Sequence, residues 1–265
     1  MRAQVFWYPM ALMASLAGCG PNEADDAASS ASEATEAVES AFLEAGFAFT
    51  AGDGLLGVGA DRGSAAAAAA VRRAGQSFLP AGCATAAQDG STARFLFRNC
   101  RNTLGVSAIY GALAVRYELT PEGRLRATLN ALGLRAMGAS LDLGATVTYG
   151  ARESLITADV DTRTSGVGLR GLRLTRSGQY TLSWEPSTQC LGLDGTWATT
   201  VPSGTAETSL SDFRRCMGRC PQAGGRMTHR KLNGAVVSVQ FVGGETAVWS
   251  ISTGRAGTVA LMCSN

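Results

Sequence analysis

Three groups of side chains have types and spacings that could do chemistry: a lone histidine, a pair of aspartates and a set of seven cysteines. His229 is the single histidine, so any Ser-His-Asp or Cys-His mechanism would have to run through it. It stands in Arg226-Met227-Thr228-His229-Arg230-Lys231-Leu232, a polar strand pattern that predicts an exposed histidine. No GxSxG, HExxH or SxxK pattern surrounds a partner for it. Asp159 and Asp161 share one strand face, where paired carboxylates could bind a cation or flank a sugar. Cys216-x-x-x-Cys220, with His229 nearby and Cys263 at the end, supplies ligand types that zinc accepts, but the spacing is not that of a zinc knuckle or ribbon. Gly52-Asp53-Gly54-Leu55-Leu56-Gly57 has the form of a dinucleotide fingerprint. It lacks the acidic residue about 20 positions on that would make it one, and a chain with 33 glycines produces such matches by chance. No catalytic residue, metal site or cofactor is assigned.

The N-terminus carries a different kind of chemistry. One basic residue, Arg2, precedes an apolar stretch from Val5 to Leu16 and small residues at Ala17 and Gly18, the layout of a secretion signal too short to span a bilayer. It ends in Leu16-Ala17-Gly18-Cys19, which resembles the lipobox of bacterial lipoproteins at all four positions. The resemblance implies removal of residues 1–18, a diacylglycerol on the Cys19 thiol and usually a further acyl chain on the new amino group. Two or three chains anchor stably, since each buried methylene contributes about 0.8 kcal/mol. Gly20 in place of aspartate implies an outer-membrane address under the Gram-negative sorting rule that such lipoproteins follow.

Residues 20 to about 45 hold seven acids (Glu23, Asp25, Asp26, Glu33, Glu36, Glu39, Glu44), no base and scarcely an apolar anchor. Such a segment buries too little to offset its ordering entropy and is expected to be a tether. Ser30-Ala31-Ser32-Glu33 reads as a capping box for a solvated helix within it. A second helix is expected at 64–74, capped by Ser64, carrying Arg72 and Arg73 at its negative end and stopped by Gly75. The expected domains are therefore 1–18 signal peptide, 19–45 lipidated cysteine and tether, and 46–265 disulfide-braced β domain.

From about residue 92 the hydropathy has period two. Leu125, Ala127, Leu129 and Ala131 alternate with Arg126, Thr128 and Asn130; Leu141 to Tyr149, Ile156 to Val160, Tyr180 to Trp184 and Ala235 to Phe241 repeat the pattern. One apolar and one polar face predicts an antiparallel sheet. Asn233-Gly234 and Gly243-Gly244 mark hairpins, and Pro121-Glu122-Gly123 and Ser177-Gly178 are read as turns between earlier strands. The fold class is all-β: an antiparallel meander of about a dozen strands, as a curved sheet, sandwich or partly closed barrel, preceded by one or two short helices. A transmembrane barrel is disfavoured, because the few aromatics form no girdles.

Setting aside Cys19, six cysteines remain: Cys83, Cys100, Cys190, Cys216, Cys220 and Cys263. An even number outside the cytoplasm predicts three disulfides, with fifteen possible pairings. Cys83 to Cys100 is the expected local loop, and Cys220 to Cys263 an expected link among the late strands.

From Asp61 onward there are 22 bases and 13 acids, a net of +9, nearly all arginine. Such a surface could attract anionic partners, with Arg170, Arg173 and Arg176 and the group Arg214, Arg215 and Arg219 the densest positions. The arginines are nevertheless spread over many strands, as a high-GC genome rich in Arg, Ala and Gly codons would give. In composition the domain resembles the uncharacterised β-rich envelope lipoproteins of large, high-GC Gram-negative genomes, a resemblance that implies no activity. The expected partners are the membrane, through the lipid, and an anionic envelope polysaccharide or envelope protein, with no nucleic acid. Two function classes follow: a non-catalytic envelope module, or an envelope hydrolase using His229 or the Asp159 and Asp161 pair. The first predicts an exposed, isolated His229; the second needs it in a cleft beside Ser, Cys or Asp.

Overall fold

The structure is a computed structural model that describes residues 63–102, 108–136, 139–152, 155–168, 171, 173–216 and 219–261. The signal peptide, Cys19, the tether with its capping box, the glycine run at 52–57, Arg170 and Cys263 lie outside the described residues.

The described chain opens with helix α1 (Gly63–Ser77). It begins one residue before the expected cap and runs two past Gly75, so Arg72 and Arg73 sit one turn inside its end. Its buried stripe is alanine, at positions 66, 67, 69, 70 and 74, and it packs against β2 (Ala84–Asp89), β3 (Thr92–Asn102) and β4 (Ile109–Leu119). Small side chains permit close approach: a Cβ at Gly63 would collide with the Tyr117 carbonyl on β4. Strands thus begin before position 92, with β1 (Phe78–Leu79) and β2 both pairing β3.

The rest is a meander. In chain order come β5 (Leu125–Ala136), β6 (Ala139–Arg152), β7 (Leu155–Val167), β8 (Arg173–Glu185), β9 (Cys190–Val201) and β10 (Gly204–Cys216). The short strands β11 (Arg226–Arg230), β12 (Val236–Phe241), β13 (Thr246–Ile251) and β14 (Ala256–Ala260) follow. From β3 to β14 every strand pairs antiparallel with its sequence neighbours in one 14-stranded sheet. Among the described residues β14 pairs only with β13, so the sheet is not closed into a barrel.

Alternation divides the sheet into an apolar face that is buried and a polar face that meets water. Ala127, Leu129, Val147, Leu191, Leu193 and Val237 are completely buried, while Asp159, Asp161, Arg163, Gln179 and Glu207 are exposed. A membrane barrel needs its apolar face outward, the reverse of this arrangement. Phe78 and Phe97 pack at 4.8 Å near the helix, and Phe213 and Phe241 meet edge to face at 4.9 Å toward the other end.

Asn233-Gly234, Gly243-Gly244 and Pro121-Glu122-Gly123 are turns, and Gly123, Gly234, Gly243 and Gly244 all have positive φ. Ser177-Gly178 is not one: both residues lie inside β8. Gly178 is there because Trp197 faces it from β9, and a Cβ would collide with the Trp197 Cβ and the Thr196 carbonyl. Two positions along, Tyr180 faces Gly195 in the reciprocal arrangement.

Two of the bulges that bend the sheet share one device. On β5 the register shifts between Ala131 and Leu134, and the Gly133 amide donates to Asp142 Oδ1 at 2.6 Å. On β10 it shifts between Leu210 and Phe213, and the Asp212 amide donates to Asp194 Oδ1 at 2.6 Å. In each case an aspartate on a neighbouring strand fixes a residue of positive φ.

Candidate functional site

Between these bulges the polar face carries a cavity of about 940 Å³ that runs across the strands. Its direction follows from register. Along one wall stand Thr128, Thr146, Asp161, Gln179, Thr196 and Ser209, each the direct partner of the next, from β5 to β10. Along the other stand Asn130, Gly144, Arg163, Ser177, Ala198 and Glu207, again partner to partner. Thr228 and Arg230 on β11 and Val236 on β12 extend the site. Between the walls, the residue at the centre of each strand segment turns its side chain to the buried face, so the floor is backbone. Seven strand-to-strand steps of about 4.8 Å make this trench roughly 34 Å long.

The walls are polar and nearly balanced in charge. Gln179 Nε2 donates to Asp161 Oδ1 at 2.7 Å, Ser209 and Thr228 share a hydroxyl hydrogen bond, and Arg230 lies 3.6 Å from Glu207. All are solvent-exposed pairs, each worth little to stability. On the Asn130 side the trench adjoins a second cavity of about 460 Å³, flanked by Leu132. At 82% exposure Leu132 is the most exposed large hydrophobic among the described residues.

The structure separates the catalytic candidates. His229 is buried, at 3% exposure, which corrects its placement on the solvent face. On β11, Met227 and His229 point inward while Arg226, Thr228 and Arg230 point outward; the polar sequence hid which of the two phases was buried. Its Nδ1 shares a 2.9 Å hydrogen bond with Thr208 Oγ1, itself 3% exposed, so this hydroxyl and imidazole pair is sealed from substrate. Asp159 and Asp161 lie on the opposite face and cannot act with His229. Asp159 pairs with Arg124 at 3.0 Å and accepts from Thr181 at 3.4 Å, whereas Asp161 belongs to the trench wall.

The cysteines form cross-links. Cys83 is bonded to Cys100 beside α1, and Cys190 to Cys216 at directly paired positions at the end of the β9 and β10 hairpin. Cys220 is also disulfide-bonded, while Cys263, its expected partner, lies outside the described residues. With their sulfurs in disulfides, Cys216 and Cys220 are not thiolate ligands for zinc, and no group of three metal-ligating side chains converges among the described residues.

The arginines are dispersed, and several are engaged. Arg94 pairs with Asp89, Arg126 with Glu118 and Arg214 with Glu185. The Glu185 carboxyl is held below its usual range first by the Thr188 hydroxyl, then by Arg214. Arg176 and Arg215 are buried, the former donating to Thr199 Oγ1 and the latter to the Arg219 carbonyl.

No protein family, curated protein or solved structure matches this chain. The sequence signalled Asp161 but not the trench, because a row of side chains from eight strands exists only once the register is known.

Proposed function

We propose that this chain is an exported, lipid-anchored, non-catalytic binding module of the cell envelope, and that the transverse trench is its recognition surface. The observation that carries the reading is the trench itself: an extended groove with hydrogen-bonding walls and no convergent nucleophile, base or metal set among its lining residues. The lipobox ending at Cys19 supports a membrane anchor, and the disulfides support an oxidising compartment. A tethered module needs an exposed binding face; the polar side of β5 to β12 is one.

The anchor is tested in cells producing the full chain, by labelling with palmitate and detergent-phase partition. The wild-type protein takes up label and enters the detergent phase, and Cys19→Ala abolishes both. Unlabelled wild-type protein in the aqueous phase would overturn the anchor.

A further inference from the structure

The geometry points to a neutral, hydroxyl-rich polysaccharide strand as the occupant of the trench, an inference that rests on the binding reading above. Three features select this chemistry. First, the shape is linear and runs across the strands, so the floor's backbone groups are spent on inter-strand pairing and cannot add a peptide as a further strand. Second, the walls present short donors and acceptors: hydroxyls at Thr128, Thr146, Thr196 and Ser209, and amides at Asn130 and Gln179. Sugar hydroxyls both donate and accept, and so match such a mixed surface.

Third, the charges cancel. Asp161 and Glu207 stand in the same trench as Arg163 and Arg230. An acidic polymer threading it would meet two carboxylates as well as two arginines and so gain no net attraction, each like-charge juxtaposition offsetting an opposite one. A neutral polymer uses all four groups as hydrogen-bond partners, charge-assisted and stronger than neutral pairs. Leu132 beside the adjoining cavity offers an exposed apolar surface for the C–H face of a sugar ring. Gly144 and Ala198 leave the second wall low, giving bulky rings room to enter.

The test uses the full-length lipidated protein in detergent, run through native gels containing laminarin, dextran or mannan, or containing alginate as the acidic polymer. Two trench-filling variants, Ala198→Trp and Ser177→Trp, alter facing positions in the low wall and point away from the core. Retardation is expected with at least one neutral polymer, unchanged by added salt, and weakened at least tenfold in both variants while their thermal midpoints stay at the wild-type value. Oligosaccharides of that polymer should compete more strongly as they lengthen. Retardation by alginate alone, lost in salt and in the variants, would overturn the neutral ligand and leave the trench as a binding site. Binding to neutral polymers that both variants retain would move the site off the trench, against both readings. Migration unaffected by all four polymers would overturn the polysaccharide while leaving the membrane anchor standing.

Discussion

At one level of the sheet, two sets of adjacent residues do opposite work. Leu129, Ala145, Thr162, Gly178, Trp197, Thr208 and His229 lie in register along the buried face; their chain neighbours on either side form the trench walls. The inner row sets the Trp197 ring opposite Gly178, an arrangement that accepts almost no change. The outer rows contain mostly polar side chains that face solvent. Stability and the proposed recognition surface are therefore separated by one residue of phase, and substitutions should divide the same way.

The largest effect is expected in the inner layer. Leu193 is fully buried between Leu182 and Phe213 on the flanking strands, and Leu193→Ala should lower unfolding free energy by about 2–5 kcal/mol in denaturant titration. A loss below about 1 kcal/mol would mean the apolar face is not packed as described.

Two glycines at the same level sharpen the contrast. Gly178→Ala should cost about 1–3 kcal/mol, because its Cβ has no space under Trp197. Gly144→Ala, on the trench wall, meets only the Arg163 carbonyl at 3.7 Å and should stay within about 0.5 kcal/mol of wild type. Equal costs for the two, measured in the same titration, would erase the distinction between the faces.

The smallest effect at neutral pH comes from the buried phenols. Burial pushes the Tyr117 and Tyr149 hydroxyls well above their usual range, and for Tyr149 the neighbouring Tyr117 adds to the rise. An acid whose folded pKa is raised contributes no pH dependence below its unfolded value. Stability is full below about pH 10 and falls as pH rises past it, because only the unfolded chain then gives up the proton. Tyr149→Phe should flatten that alkaline decline in thermal midpoints taken from pH 9 to 12. An unchanged slope would place Tyr149 in contact with water.

The alternation of Leu125 to Ala131 and of Leu141 to Tyr149 is enough to read the all-β meander, because each strand has one wet face and one dry face. Ser177-Gly178 and His229 show where that reasoning stops. Ser-Gly resembles a turn until the Trp197 ring opposite accounts for the glycine, and a strand of five residues with polar members on both faces gives no phase. The helix overran Gly75 because burial of Ala74 and Ser77 against the sheet outweighs the cost of one glycine. Asp161 was legible as a carboxylate that could flank a sugar; its companions Gln179, Thr196 and Ser209 belong to distant segments and join it only through pairing.

The strictly sequential strand order has a consequence for assembly. From β4 onward each strand needs only its predecessor as a template, so loops to be closed are short and the chain can grow from its first hairpin outward. A polypeptide delivered N-terminus first through a narrow translocation pore can build this sheet in the order in which it emerges. Among the described residues the helix and the Cys83–Cys100 loop arrive first and pack against the starting strands, and β14 arrives last, onto a finished β13.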